Sequence, residues 1–414
     1  MRKHGFSTLF AVAAFVGATA SQAAVHRVYP GESIQDAIDV AAPGDTVLVE
    51  PGVYENPNTG EDDKYGLRIS TPNLRLIGKV KKGRGEDGKV IIRYKDDGDE
   101  DKKTGQQTGI YAAPAGCDYD VKDDSDEGQA CRSNELKGFY LRGFTVEDFP
   151  VNGIQTRWVD GFEFVRNESA RNLNNGIYPT LSANGLVRNN ESYGSLDTAM
   201  WVAGSENVRV IGNELYDSTI GFEITVSNNV KVAHNEIYQN TVGVGLFHPN
   251  GAGNPQLPEM KDWVIEHNDI RENNLPNPAD PGSFQGGLPP GYGVLLLGVS
   301  DHVVAKNDVS DNNGAGIGIL GWCTATSLGN PARNCVNDPP QADPSANNNF
   351  VALNRMTGNG EAPPPIGLPG VDILYVQTPP IEPGTGNCFK KNKPKNDVTF
   401  YSSEPDGELP TDGC

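Results

Sequence analysis

GFYLRGFTVEDFPVNGIQTRWVD (138–160), GFEFVRNESARNLNNGIYPTLSA (161–183), NGLVRNNESYGSLDTAMWVAGSE (184–206) and NVRVIGNELYDSTIGFEITVSN (207–228) follow one another without a gap and align. Further copies begin with NVKVAHNEIY at Asn229, DWVIEHNDIR at Asp262, DHVVAKNDVS at Asp301 and NNFVALNRMT at Asn348. Each copy holds two alternating runs. One is of the V-x-V type, as in Val208-Arg209-Val210. The other is of the G-[IVF]-x-[IVL] type, as in Gly221-Phe222-Glu223-Ile224. A short N-x-[ILV] stretch links them. Alternation over four or five residues, punctuated by Gly and Asn, predicts short strands with one buried face. One such unit cannot bury its apolar face alone, but stacked copies can. The period therefore predicts an all-β chain wound as a parallel β-helix, one coil per repeat.

A column of asparagines supports that reading. Asn167, Asn190, Asn213, Asn235, Asn268, Asn307 and Asn354 share one repeat position. Coils stacked about 4.8 Å apart would let each amide bond the next as a ladder. Asn also tolerates the left-handed conformation that a coil corner needs. Burial there makes the Asn167-Glu-Ser and Asn190-Glu-Ser glycosylation patterns accidental. Glu168, Glu191, Glu214, Glu236, Asp269 and Asp308 each follow a ladder Asn. They read as a solvated charged face, eased by Arg166, His234, His267 and Lys306, in preference to a row of metal sites.

The repeat resembles the right-handed parallel β-helix proteins of the pectate-lyase-like superfamily over most of the chain. The start matches as well: Tyr29-Pro-Gly-Glu-Ser-Ile-Gln-Asp-Ala-Ile, Pro43-Gly-Asp-Thr-Val and Pro51-Gly-Val-Tyr-Glu look like that superfamily's capping helix and first strand. Ser33 with Asp36 forms a capping box, and Ile34, Ala37, Ile38 and Ala41 make one apolar stripe fit to plug the open end of the stack. The resemblance implies a right-handed single-stranded parallel β-helix with an N-terminal capping helix. It implies no single activity, because the superfamily holds lyases, hydrolases, epimerases and adhesins.

Composition narrows the function. The chain has 414 residues, with 34 Lys+Arg against 54 Asp+Glu and a formal net charge of -20. That acidity argues against nucleic acid and against an anionic membrane surface. Arg2, Lys3 and His4, the apolar run from Phe6 to Ala20 and Ser21-Gln22-Ala23-Ala24 read as a secretory signal over 1–24, with no transmembrane segment left after cleavage. The β-helix is expected over 25–387 and a disulfide-closed tail over 388–414. An exported chain with six Cys favours local disulfides: Cys117–Cys131, Cys323–Cys335 and Cys388–Cys414. The compartment is periplasmic or secreted.

Loop placement points to a site. Long loops precede the G-[IVF]-x-[IVL] runs at 55–65, 95–108, 274–291 and 359–369, and follow them at 114–135, 249–261 and 323–346. The uninserted coils 138–228 leave an open floor between. Gln155, Arg157, Tyr178, Thr180, Trp201, Glu223 and Thr225 face outward on it, with Arg68 and Tyr111 at one end and Phe247 and His248 at the other. Aromatic platforms beside directional polar groups suit sugar rings. The competing reading is an ordinary solvated sheet face. Glu223 is the candidate general acid or base, beside Arg157 or His248, and Asp197 is the second carboxylate a glycosidase would need. The paired Asp and Gly-His-Gly motifs of polygalacturonases are absent, as is the Asp-Pro-His-Asp run of mannuronan epimerases. The acidic loop 118–127 offers Asp118, Asp120, Asp124 and Asp126 as a low-affinity Ca²⁺ site, without EF-hand spacing. The expected function is that of an exported polysaccharide-binding protein, and a lyase, hydrolase or epimerase if it is an enzyme. The alternative is a non-catalytic β-helix scaffold with a protein partner.

Overall fold

A computed structural model describes residues 23–55, 64–81, 85–95, 107–248, 260–329, 335–336, 339–340, 342–378, 382–394, 399–411 and 413–414. The expected leader falls almost wholly outside these residues. So do the acidic run 96–103 and most of the loops at 55–65, 95–108 and 249–261.

The chain is a right-handed parallel β-helix. Among the described residues three parallel sheets of 12, 11 and 11 strands run the length of the stack, and from Thr46–Val49 onward every third strand returns to the same sheet. The V-x-V runs build the first sheet, as in Glu206–Ile211. The G-[IVF]-x-[IVL] runs build the floor sheet, as in Ile220–Thr225. The stretch expected to be a link between them is itself a strand, as in Glu214–Tyr216, and forms a middle sheet. Three residues are too few for alternation to show, which is why the repeat reads as two-stranded. Residues 388–414, expected as a separate tail, supply one more rung to all three sheets through Cys388–Lys390, Lys393–Pro394 and Phe400–Ser402.

Inward residues of all coils merge into one apolar core, capped by α1 (Ile34–Asp39). Ser33 caps α1 by accepting from the Asp36 amide, and Ile34 and Ile38 are buried as the stripe requires. Gln35 closes the sheet edge as a surrogate strand: its amide donates to the Arg68 carbonyl and its oxygen accepts from the Arg68 N–H.

The asparagine column is in register. Asn213 Oδ1 accepts from the Asn190 backbone and side chain at 2.9 and 3.0 Å, and its Nδ2 donates to Val187 O and Asn235 Oδ1. The left-handed residue is not the asparagine but the one before it: Arg166, Asn189, Gly212, His234, His267 and Lys306 all have φ between 54° and 67°. Strain of roughly 1 kcal/mol at each non-Gly member is offset by the ladder bonds that follow. The other corners carry ladders of their own, which the sequence reading missed. One runs from Ser195 through Ser218, Asn240, Asn273 and Asn312 to Asn359, with Asn172 at the same corner bonded to Phe149; another includes Ser182, Ser205 and Ser227. Replacing Asn213 by Ala removes four hydrogen bonds in the buried interior. It should cost about 1–3 kcal/mol, read as a lower urea midpoint at unchanged slope.

On the middle sheet the carboxylates that follow the ladder meet hydroxyl donors as well as cations. Tyr193, Tyr216 and Tyr238 stack with centroids 4.8 and 5.2 Å apart. Their hydroxyls donate back one coil, to Glu168, Glu191 and Glu214. All three expected disulfides are present, with Cα atoms 5.9, 5.2 and 5.0 Å apart for Cys117–Cys131, Cys323–Cys335 and Cys388–Cys414. Among the described residues no helix is long and apolar enough to cross a membrane.

Candidate functional site

The outward column of the floor sheet runs Arg68, Tyr111, Gln155, Tyr178, Trp201, Glu223, Gly245 and Leu295. Both of its ends are covered. At one end the loop after Tyr111 folds back, carrying α2 (Asp126–Ser133) and the Cys117–Cys131 bridge. Tyr65, Tyr111 and Trp158 are buried beneath it. Arg68 donates to the carbonyl oxygens of Ala113, Pro114 and Cys117, and Arg157 to those of Asp118 and Tyr119. These two arginines were expected on the open floor. Instead they clamp the loop, because a buried turn of backbone needs donors for its carbonyls. Tyr111, expected to bind substrate, is fully buried there.

At the other end α3 (Trp322–Gly329) and the 274–291 loop cover the floor. Phe247 packs edge-on against Phe284, and the His248 ring stacks on Trp322 at 5.2 Å. Both are buried, and burial lowers the His248 pKa to about 4. This imidazole is neutral and lies away from the open floor, unlike the catalytic base expected from the sequence.

The four aspartates of the expected Ca²⁺ loop do not converge. Asp118 and Asp120 pair with Lys64, Asp124 is exposed, and Asp126 sits in the exposed first turn of α2, which Ser125 caps. Among the described residues no three His, Cys, Asp or Glu side chains are grouped to hold a metal ion.

What stays open is the middle of the floor. Tyr178 and Trp201 are partly exposed, and Gln155 and Thr180 are nearly covered. The two rings stack at 4.6 Å and 11°, and Trp201 Nε1 donates to Thr225 Oγ1 at 3.0 Å. Their faces are thus turned along the stack, one against the other. A ligand meets ring edges, not the flat platforms expected, and the second face of Trp201 looks toward the coil that carries Glu223.

Glu223 is 2% exposed. Among the described residues it has no cationic partner. Its Oε2 meets the Thr198 hydroxyl at 2.8 Å, and the same hydroxyl lies 3.0 Å from Asp197 Oδ1. Oε1 has no hydrogen-bond partner among the described residues. Burial, and next the charge of Asp197, push Glu223 well above the usual carboxylate range. Burial likewise raises Asp197 to about 6, against the pull of hydrogen bonds from Thr198 and from Gln285 of the 274–291 loop. Asp197 keeps part of its surface in solvent. Of the two, Glu223 therefore holds its proton the more tightly, and Asp197 is the one to carry the charge. Asp197 comes from the turn before the floor strand and Glu223 from the next coil's strand; the repeat period of 22 residues in that copy brings them together.

The sign of the pH effect follows. Both acids hold their proton more tightly folded than unfolded. Their contribution to stability is intact below about pH 4 and is lost as pH rises through about 6 for Asp197, and later for Glu223. Between about pH 4.5 and 7.5 wild type should lose roughly 1–3 kcal/mol relative to Asp197→Asn, measured by urea unfolding at each pH. Parallel pH slopes for the two proteins would disprove the raised Asp197.

The profile of the family described as "Right handed beta helix region" matches residues 140–257. No curated protein matches the chain. Among solved structures the chain is similar to the Dettilon tailspike protein, at 14% identity and TM-score 0.59, covering 92% of this chain and 69% of that one. It is also similar to DFA-IIIase from Arthrobacter chlorophenolicus A6 in complex with DFA-III, at 14% identity and TM-score 0.52, covering 92% and 87%. The Azotobacter vinelandii mannuronan C-5 epimerase AlgE4 A-module is similar at 15% identity and TM-score 0.51, covering 90% and 93%. Likeness at this identity is likeness of fold.

Proposed function

We propose that the chain is an exported enzyme that breaks glycosidic bonds in a polysaccharide, with Glu223 as the general acid and Asp197 as its ionised partner. The observation that carries this reading is the carboxyl pair joined through one Thr198 hydroxyl. Protonating a leaving oxygen needs an acid that still holds its proton near neutral pH, and burial supplies it. The second carboxylate must stay charged to meet the oxocarbenium-like sugar, and partial exposure keeps Asp197 so. The shared hydroxyl lies 2.8 Å from one carboxyl and 3.0 Å from the other, so the two groups belong to one site. The structural neighbours include an epimerase named for mannuronan and a DFA-IIIase with DFA-III bound, so related folds handle carbohydrate. Three disulfides agree with export.

An epimerase or lyase would need a cation at the uronate carboxylate. Arg68 and Arg157 are committed to the covering loop, which favours a neutral glycan, as does the acidic body of the chain.

The test is a panel of neutral and uronate polysaccharides, scored for new reducing ends and for the ultraviolet absorbance of unsaturated uronate. New reducing ends on a neutral glycan, without that absorbance, are expected. Unsaturated product would move the assignment to a lyase. Binding without turnover across the panel would leave a non-catalytic scaffold.

A further inference from the structure

Thr198 Oγ1 lies within hydrogen-bond distance of both carboxyl groups, 2.8 Å from Glu223 Oε2 and 3.0 Å from Asp197 Oδ1. A hydroxyl has one proton to donate. It can satisfy one of those oxygens as a donor. The other contact is a hydrogen bond only if that carboxyl is protonated and donates to Oγ1. Two deprotonated carboxylates would leave one of them facing an oxygen lone pair in a buried setting. The fully bonded arrangement with one charge therefore holds one proton on the pair.

Exposure sets the direction. Glu223 is enclosed, while Asp197 reaches solvent and the Gln285 amide. Charge belongs on Asp197, and the bonds run from Glu223 Oε2–H to Thr198 Oγ1, and from Thr198 Oγ1–H to Asp197 Oδ1.

We infer that Thr198 is a proton relay, coupling the solvent-touching Asp197 to the enclosed Glu223 so that the two carboxyl groups titrate as one unit. This rests on the acid role proposed for Glu223. After Glu223 gives up its proton it is a carboxylate. Asp197 takes a proton from the hydrolytic water, whose hydroxyl goes to the sugar; that proton passes to Thr198 Oγ1, while the hydroxyl's own proton moves to Glu223 Oε2. Asp197 returns to a carboxylate, Glu223 to an acid, and Thr198 to a hydroxyl with its proton exchanged. Around the pair, Tyr178 is the facing titratable group; its own acidity responds to both carboxyls and, from its other side, to Arg157. Gln285 is neutral. Thr198 is a positioning residue, acting through the two carboxyl groups it bonds.

The test needs no glycan. Carboxyl protonation is followed by infrared titration of the C=O stretch, with Glu223→Gln and Asp197→Asn assigning the two steps. Wild type should show two separated steps. Thr198→Val keeps the shape and removes the hydroxyl. It should bring the steps together by at least about one pH unit, since the singly protonated state loses both of its bonds. Thr198→Ser should restore the wild-type interval, and Thr198→Ala replaces Val if Val does not fold. An unchanged interval in Thr198→Val, or a Thr198→Ser interval like that of Val, would overturn the relay. Failure to find a cleaved glycan would count against the glycosidase reading and leave this titration result standing.

Discussion

Replacing Glu223 by Gln should lower glycan turnover by about 10²–10⁴-fold and leave glycan affinity within about twofold of wild type. Gln keeps the volume and a contact to the Thr198 hydroxyl, so the enclosed position stays filled. It has no proton to give. The loss should fall on kcat, because a general acid acts in the transition state and not in ground-state binding. The same variant should be more stable than wild type at alkaline pH, since no enclosed carboxyl is left to ionise. Equal turnover in wild type and Glu223→Gln, on a glycan that wild type cleaves, would remove Glu223 from the chemistry.

Replacing Gly243 by Ala should destabilise the stack by about 3 kcal/mol or more, the upper end of overpacking costs. A Cβ at this position would lie 2.5 Å from the Gly293 carbonyl oxygen, 2.8 Å from Asn273 Nδ2 and 2.8 Å from an Ile270 methyl. Backbone of the next coil cannot retreat without breaking a rung. The same contact recurs along the stack: Gly153 against Asn172, Gly221 against Asn240, Gly293 against Asn312 and Gly316 against Asn359. Where the corner ladder carries Ser218 in place of Asn, the chain has Ala199. Gly176 stays glycine although its ladder residue is Ser195, so the ladder amide is one of several close contacts that set the glycines, beside the next coil's carbonyl oxygen and a middle-strand side chain. Gly243→Ala combined with Asn273→Ser should recover part of the loss in urea unfolding, and a strictly additive double variant would refute the coupling.

The period of 138–228 and the Asn167–Asn354 column made the coil legible, because stacking needs the same residue at the same corner each time. The disulfides were legible from local spacing. The middle sheet was not, since Glu214–Tyr216 is too short to alternate twice. Neither was the left-handed corner, which falls on residues as unlike as Arg166, His234 and Lys306. No side-chain preference marks it; the ladder bond after it does.

Of the candidate site, Glu223, Tyr178 and Trp201 were readable from strand alternation. Arg68, Tyr111, Arg157 and Phe247 share the same outward face and were read alike, with His248 just past the strand end. Alternation says which face a residue points to, and not whether a loop later covers that face. Asp197 could be named but not aimed, because it lies in a turn. Thr198 carried no signal of its own. Its role appears only when one hydroxyl is seen between two carboxyls, and one clue lay in the register: Thr198 opens the strand that pairs with the strand of Glu223.

The account is tested most directly by the structure of the Glu223→Gln protein with a bound oligosaccharide that wild type cleaves. The scissile oxygen should lie within hydrogen-bond reach of the residue 223 side chain, about 3 Å, with Asp197 on the far side of the sugar and ring edges of Tyr178 and Trp201 along the chain. A sugar chain seated on the middle or first sheet, away from Glu223 and Asp197, would contradict it.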